Sequence, residues 1–235
     1  MLHIKNYRTF TPENLTAHRL TAETMSAAEC VLPDLLCTLA AIGLPDEHFA
    51  CKDLLDLAKT ALGRALHIHL TRLMLDLEQF RRRNSGAAET ALSRLALIES
   101  CYEALRDILA CSGDFSLNHT LRALERSAPV YPDFAETLKA DAGNHYCRSY
   151  VYELFDMLYL PEFRLYRNYA EEKVLREDRG EWDDAETRFP ELERQTEAFY
   201  YSAALSGFAP DLSAARRHYK QTMKSIAYKL KGFLP

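Results

Sequence analysis

Apolar residues recur at steps of three and four along most of this chain, the period of amphipathic helices, and no block alternates with the period of two that a strand needs. Thr11-Pro12-Glu13 reads as a helix start, with Thr11 as N-cap and Pro12 in the first turn. The pattern predicts a second helix over Ala22 to Ile42, with Pro33 as a kink or restart and Gly43 and Pro45 as its end. A long helix follows from Glu47 to Arg83, with a broad apolar face from Phe49 to Leu77. Asn84-Ser85-Gly86 turns the chain into a helix over Ala87 to Cys111, expected to return antiparallel against its predecessor. A shorter helix is predicted over Leu117 to Ser127, a rigid connection over Pro129 to Pro132, and a resumed helix near Asp133.

Asn144 to Val174 is the densest aromatic run and is expected to supply the central packing. Val151, Leu154, Phe155, Leu158, Leu165, Tyr166 and Tyr169 keep helical spacing, and Pro161 inside the pattern implies a kink or a restart. A charged segment over Glu171 to Glu186 turns at Gly180. Helices over Pro190 to Ala204 and Leu212 to Lys231 complete the chain, the last with Arg216, Arg217, Lys220, Lys224 and Lys231 on a basic, solvated face. The expectation is an all-α, multi-helix bundle or array of about seven to nine helices in a single domain. It divides into an extension with two helices (1–50), a helical core (51–205) and a C-terminal basic amphipathic helix (206–235).

Composition narrows the class of function. Only 8 Gly and 9 Pro in 235 residues disfavour a turn-rich β domain. A net charge of −5 argues against a nucleic-acid partner, whose footprint would be basic. No uncharged apolar run is long enough to span a bilayer, and the first ten residues lack the apolar core of a signal peptide. Cys30, Cys37, Cys51, Cys101, Cys111 and Cys147 form no CxxC pair and read as free thiols, which fits a cytoplasmic chain.

Candidate chemistry is sparse. His67 and His69 point to nearly opposite faces of one helix, so they do not converge on a metal, and no Gly-rich cradle or nucleophile elbow calls for a cofactor. Arg81-Arg82-Arg83 reads as cations at a helix C-terminus, with a phosphate or nucleic-acid site as the alternative. Among the acids of the aromatic run, Glu162 admits two readings: on the apolar stripe with Arg148, Arg164 or Arg167 as partner, or in the first turn after Pro161, where its charge complements the dipole. Trp182, among Glu181, Asp183 and Asp184, is either a loop anchor or a contact residue.

Four segments occur in a telling order: KDLLDLAKTAL (Lys52–Leu62), LIESCYEALRDILACSGDFSL (Leu97–Leu117), YVYELFDMLYLPEFRLY (Tyr150–Tyr166) and TEAFYYS (Thr196–Ser202). Together they resemble the C-terminal all-helical domain of α-N-acetylglucosaminidase-like glycoside hydrolases, with Glu162 and Phe163 departing from that family's basic residue and Trp. The resemblance implies an accessory domain beside a catalytic (β/α)8 barrel, supplied in cis or in trans. It carries no catalytic residue of its own and borders a carbohydrate cleft with Tyr159, Glu162, Arg164 and Trp182. An excised domain of that kind would be extracytoplasmic or lysosomal. The alternative is an intracellular helical scaffold that self-associates through an aromatic face.

Overall fold

The computed structural model describes Ile4, Tyr7, residues 10–127, Tyr131, residues 133–144, residues 150–180 and residues 184–234. Among these residues there is no strand, and the all-α expectation holds. Most of the lead-in before Phe10, most of the Pro129–Pro132 connection, Cys147, Arg148 and Trp182 lie outside the described residues.

Helix α1 (Pro12–Ile42) is one continuous helix where two were expected. Thr11 Oγ1 accepts from the Asn14 N–H at 3.3 Å, and Gly43, at φ 73°, ends the helix by donating to the Leu39 carbonyl. Nothing between those caps forces an exit, because Pro33 removes only one backbone donor and its ring is buried. Helix α2 (His48–Arg81) is capped by Glu47, which accepts from Phe49 N–H at 3.0 Å and Ala50 N–H at 2.6 Å. From Ala58 onward its buried positions include neighbours in sequence: Ala61, Leu62 and Gly63, then Ile68, His69, Leu70 and Thr71. Over Ala65–Arg81 none of its residues is exposed, so this half of the helix is covered on every side. Arg83, at φ 64°, and Gly86, at φ 77°, reverse the chain into α3 (Ala87–Leu109).

The fourth member of the bundle comes from the far end of the chain. Helix α9 (Leu212–Lys231) packs on α1 and α3, while α2 packs on both from the other side. Arg216 of α9 donates to the Pro45 carbonyl at 2.9 Å, and Lys231 pairs with Asp34 at 2.8 Å. Residue numbers therefore run in opposite senses along α1 and α9. Lys229 donates to Ser100 at 2.8 Å and Phe233 lies over Arg94, giving the same antiparallel sense against α3. The result is an up-down-up-down square of α1, α2, α3 and α9.

The remaining helices form a second layer: α4 (Leu117–Ser127), α5 (Phe134–Asn144), α6 (Tyr152–Leu154), α7 (Leu160–Leu175) and α8 (Asp184–Ser202). Between α6 and α7 the chain neither kinks to a stop nor restarts at Pro161. It widens into a π-helical turn over Phe155–Tyr159, where Leu160 N–H donates to the Phe155 carbonyl five residues back. Widening the turn just before a residue that has no N–H lets helical geometry run through the proline. Helix α8 likewise begins earlier than expected and carries Pro190 inside it. The aromatic run packs onto α3, with Tyr102 5.1 Å from Phe163 and Phe155 5.2 Å from Tyr159, ring centre to ring centre. Its rings are core, but the helix covered on every side over its second half is α2, and the aromatic run covers α3.

Two buried charges at helix ends hold this layer. The Glu153 carboxylate, fully buried, accepts from Ser116 Oγ at 2.6 Å and from the Leu117 and Asn118 N–H groups at 2.9 Å each. It caps α4 from 35 residues away, where the helix dipole favours an anion. Asn118 Nδ2 then donates to the Leu205 carbonyl at 2.8 Å. On α5, buried Lys139 donates to the Tyr201 carbonyl at 3.0 Å and to the Ala203 carbonyl, so a cation closes the C-terminal end of α8.

Removing the Glu153 carboxylate strands three donors in the core. Glu153→Ala is expected to lower the unfolding free energy by about 3 kcal/mol or more, read from urea denaturation. A loss under about 1 kcal/mol contradicts the cap.

Candidate functional site

Of the residues that the resemblance places at a cleft, two are buried, one is on the surface, and Trp182 lies outside the described residues. Tyr159, in the π-helical turn, is 3% exposed, and Glu162 is 2% exposed. Both face the interior. Glu162 is buried, as the stripe reading expects, and also lies in the first turn of α7, as the dipole reading expects. The helical path begins at Tyr152, however, so α7 has no free N-terminus for its charge to complement. Arg164 is half exposed and lies between Glu99 at 2.6 Å and Glu103 at 2.7 Å, in a network where Arg167 also reaches Glu99 and Glu171. These pairs join α7 to α3 across the surface. They hold the Glu99 carboxyl below the usual range, against the opposing effect of burial, which is the largest single contribution.

The two histidines of α2 part as expected. His67 shares a hydrogen bond with the Tyr7 hydroxyl at 2.5 Å, on one side of the helix. On the other, His69 Nδ1 is 2.9 Å from Arg94, and Arg94 is ion-paired with Asp76. Phe233 closes this network, its ring 5.2 Å from the Arg94 guanidinium and 5.8 Å from the His69 ring. Burial, with Arg94 beside it, pushes His69 down to about 3, so the ring is neutral at pH 7 and accepts from Arg94. Burial also pulls Asp76 upward, against the attraction of Arg94. The triad ties α2, α3 and the segment after α9 together, and the only sequence signal for it is two charges, Asp76 and Arg94, set among core positions. Among the described residues no three His, Cys, Asp or Glu side chains converge on a point. Cys101 and Cys111 are buried, and their thiols are pushed up to about 12, which leaves them protonated and unreactive.

The surface carries more that is unaccounted for. An 18-residue stretch of α1 has a mean hydropathy of 1.5, enough in length and composition for a membrane-crossing helix, yet the fold buries only 33% of it. Its inward face carries Leu32, Leu36, Leu39 and Ala40. Its outward face carries Leu20, Val31, Leu35 and Ile42, of which Leu20, Val31 and Ile42 are 60% or more exposed. Thr24, Ala27 and Thr38 are also exposed, and at 100° per residue the seven positions share a stripe about 80° wide. Two other features lie at helix seams. An apolar groove of about 530 Å³ between α3 and α9 is lined by Ala96, Leu97, Tyr228 and Phe233. A groove of about 460 Å³ lies where Phe10 and the start of α1 meet the end of α2, lined by Arg19, Arg81, Arg82 and Arg179.

Comparison with protein-family models, with curated proteins and with solved structures returned no match.

The buried histidine has a solution consequence. The unfolded chain protonates His69 near its ordinary value of 6.5, whereas the fold resists until about 3. Between those values the unfolded state binds more protons, so stability falls as pH falls through this window. His18 and His67, lowered mainly by burial, act in the same sense, while Asp76, raised by burial, opposes them toward the acid end. His69→Gln keeps an acceptor for Arg94 and loses the titration. The difference between urea midpoints at pH 7 and pH 5 is expected to shrink in this variant, and an unchanged difference contradicts the assignment.

Proposed function

We propose that this chain is a helical docking module, and that its partner at the outer face of α1 is a second copy of itself. The supporting observation is the outward stripe of α1. Its spacing is the same read in either direction: Leu20, Thr24, Ala27, Val31, Leu35, Thr38, Ile42. An antiparallel two-fold axis at Val31 sets Leu20 against Ile42, Thr24 against Thr38, Ala27 against Leu35 and Val31 against itself. That is the self-complementarity an isologous interface requires. The stripe is about 33 Å long, with threonines and an alanine between the larger aliphatic residues, so two helices approach closely along it. Of the three acids between Leu20 and Ile42, Glu29 is buried against Arg72, Asp34 pairs with Lys231, and Glu23 is exposed to one side of the stripe.

A bilayer is the competing occupant. Inserting α1 across a membrane would strip Leu32, Leu36, Leu39 and Ala40 from the bundle and carry Glu29 and Asp34 into hydrocarbon. The self-docking reading keeps every packed contact of the bundle. The sugar-cleft reading implied by the glycosidase resemblance draws no support from this geometry, because Tyr159 and Glu162 are turned into the core and Arg164 is engaged by two glutamates.

Sedimentation equilibrium distinguishes the readings. The expected species is twice the chain mass of 26.9 kDa, and Val31→Arg is expected to weaken the dimer by about a hundredfold or more, because the two-fold sets the two cations against each other. Far-UV circular dichroism should be unchanged, since Val31 is 61% exposed. A monomeric wild type, a dimer indifferent to Val31→Arg, or α1-dependent binding to phosphatidylcholine vesicles overturns the proposal.

A further inference from the structure

We infer that the groove between the start of α1, the end of α2 and the turn after α7 is a binding site for a phosphate-bearing ligand. Four guanidinium groups converge there: Arg19 from α1, Arg81 from the last turn of α2, Arg82 at its cap, and Arg179 from the turn after α7. Among the described residues the groove has a single acidic lining residue, Glu78, whose carboxylate takes Arg82 at 2.7 Å and Arg81 at 3.6 Å. One carboxylate against four guanidiniums leaves a strongly positive concavity on a chain whose net charge is −5. The negative end of the α2 dipole accounts for cations in its last turn. It does not account for Arg19 and Arg179, which come from two other segments.

The second observation is that two of these guanidiniums are held in place. The Nε atoms of Arg81 and Arg179 are buried and have no acceptor among the described residues. Both guanidiniums are held by rings, Arg81 5.0 Å from the centre of Phe10 and Arg179 5.2 Å from that of Phe80. Such stacking fixes the plane of each guanidinium, and with the Nε edge sealed from solvent it is the Nη edge that can meet a ligand. A multivalent oxyanion takes hydrogen bonds from several such guanidiniums at once. A phosphate, with three oxygens directed apart, matches donors arriving from separate segments better than the two coplanar oxygens of a carboxylate. Phe10, Pro12 and Leu15 give the groove an apolar wall, and about 460 Å³ exceeds what one phosphate fills. The ligand class is therefore a phosphorylated compound with an apolar body beside its phosphate.

Isothermal titration with phenyl phosphate and with inorganic phosphate tests the site in the full chain. Saturable one-to-one binding is expected, tighter for phenyl phosphate. Arg81→Gln and Arg179→Gln are each expected to weaken it by about tenfold or more, and Arg82→Gln, already engaged by Glu78, by less. Arg217→Gln, on the basic face of α9, is expected to leave it unchanged. Arg179 lies outside any helix, so Arg179→Gln carries the test if Arg81→Gln does not fold. Absence of saturable binding to the wild type overturns the inference. So does equal weakening by Arg217→Gln, which marks non-specific attraction to positive charge, or full binding by Arg179→Gln.

Discussion

The second half of α2, Ala65–Arg81, has no exposed residue, and covering that half on every side is the requirement that α2 imposes on the whole chain. Its buried residues run consecutively at Ala61–Gly63 and Ile68–Thr71, and water reaches the stripe of its first half that includes Asp53, Leu57, Thr60 and Arg64. α1 and α3 cover two sides because short turns deliver them there. The remaining faces are met by less local pieces. Tyr7 reaches His67, and the Tyr150 hydroxyl packs against Gly63, where a Cβ would stand only 2.4 Å away. Glycine in mid-helix costs about 1 kcal/mol relative to alanine, and here it opens the space that the tyrosine fills. α9 then closes the square from the end of the chain, which couples the last helix to the first.

Where a residue's effect is local, it was legible in the sequence. Thr11-Pro12, Gly43 and the Asn84–Gly86 turn mark helix ends by capping and backbone preference, and the structure puts the ends there. The prolines misled because their effect depends on what surrounds them. Pro33 and Pro190 sit inside helices, and Pro161 is absorbed by a π-helical turn. As cleft residues, Tyr159, Glu162 and Arg164 rest on a resemblance in motif order, which carries no information on which way a side chain faces. Tyr159 and Glu162 turned inward. Glu153 was one acid among several until the fold brought the start of α4 to it, a pairing that spans 35 residues and has no local signature.

The same contrast separates the interior of this protein from its surface. Inside, the charged groups described are matched: Glu153 and Lys139 close helix ends, and Asp76, Arg94 and His69 form a tie between helices. Outside, two features go beyond what the bundle needs. The outer stripe of α1 adds a second apolar face to a helix that already has one. The arginine groove gathers positive charge from three segments onto one carboxylate. Stability explains neither. Under the self-docking and phosphate-site proposals, each has a contact outside the bundle.

The spacing of the α1 stripe predicts a geometry as well as an association. In an antiparallel pair centred on Val31, residue 20 of one copy lies opposite residue 42 of the other, so equivalent residues 20 are about 33 Å apart along the helix. Pulsed electron-spin distance measurement on the chain labelled at Leu20→Cys, with Cys30, Cys37 and Cys147 replaced by serine, reads that separation directly. A distribution centred near 33 Å supports the two-fold at Val31. A distance under about 15 Å means a parallel pair, and no intermolecular distance means no pair; either result contradicts the account.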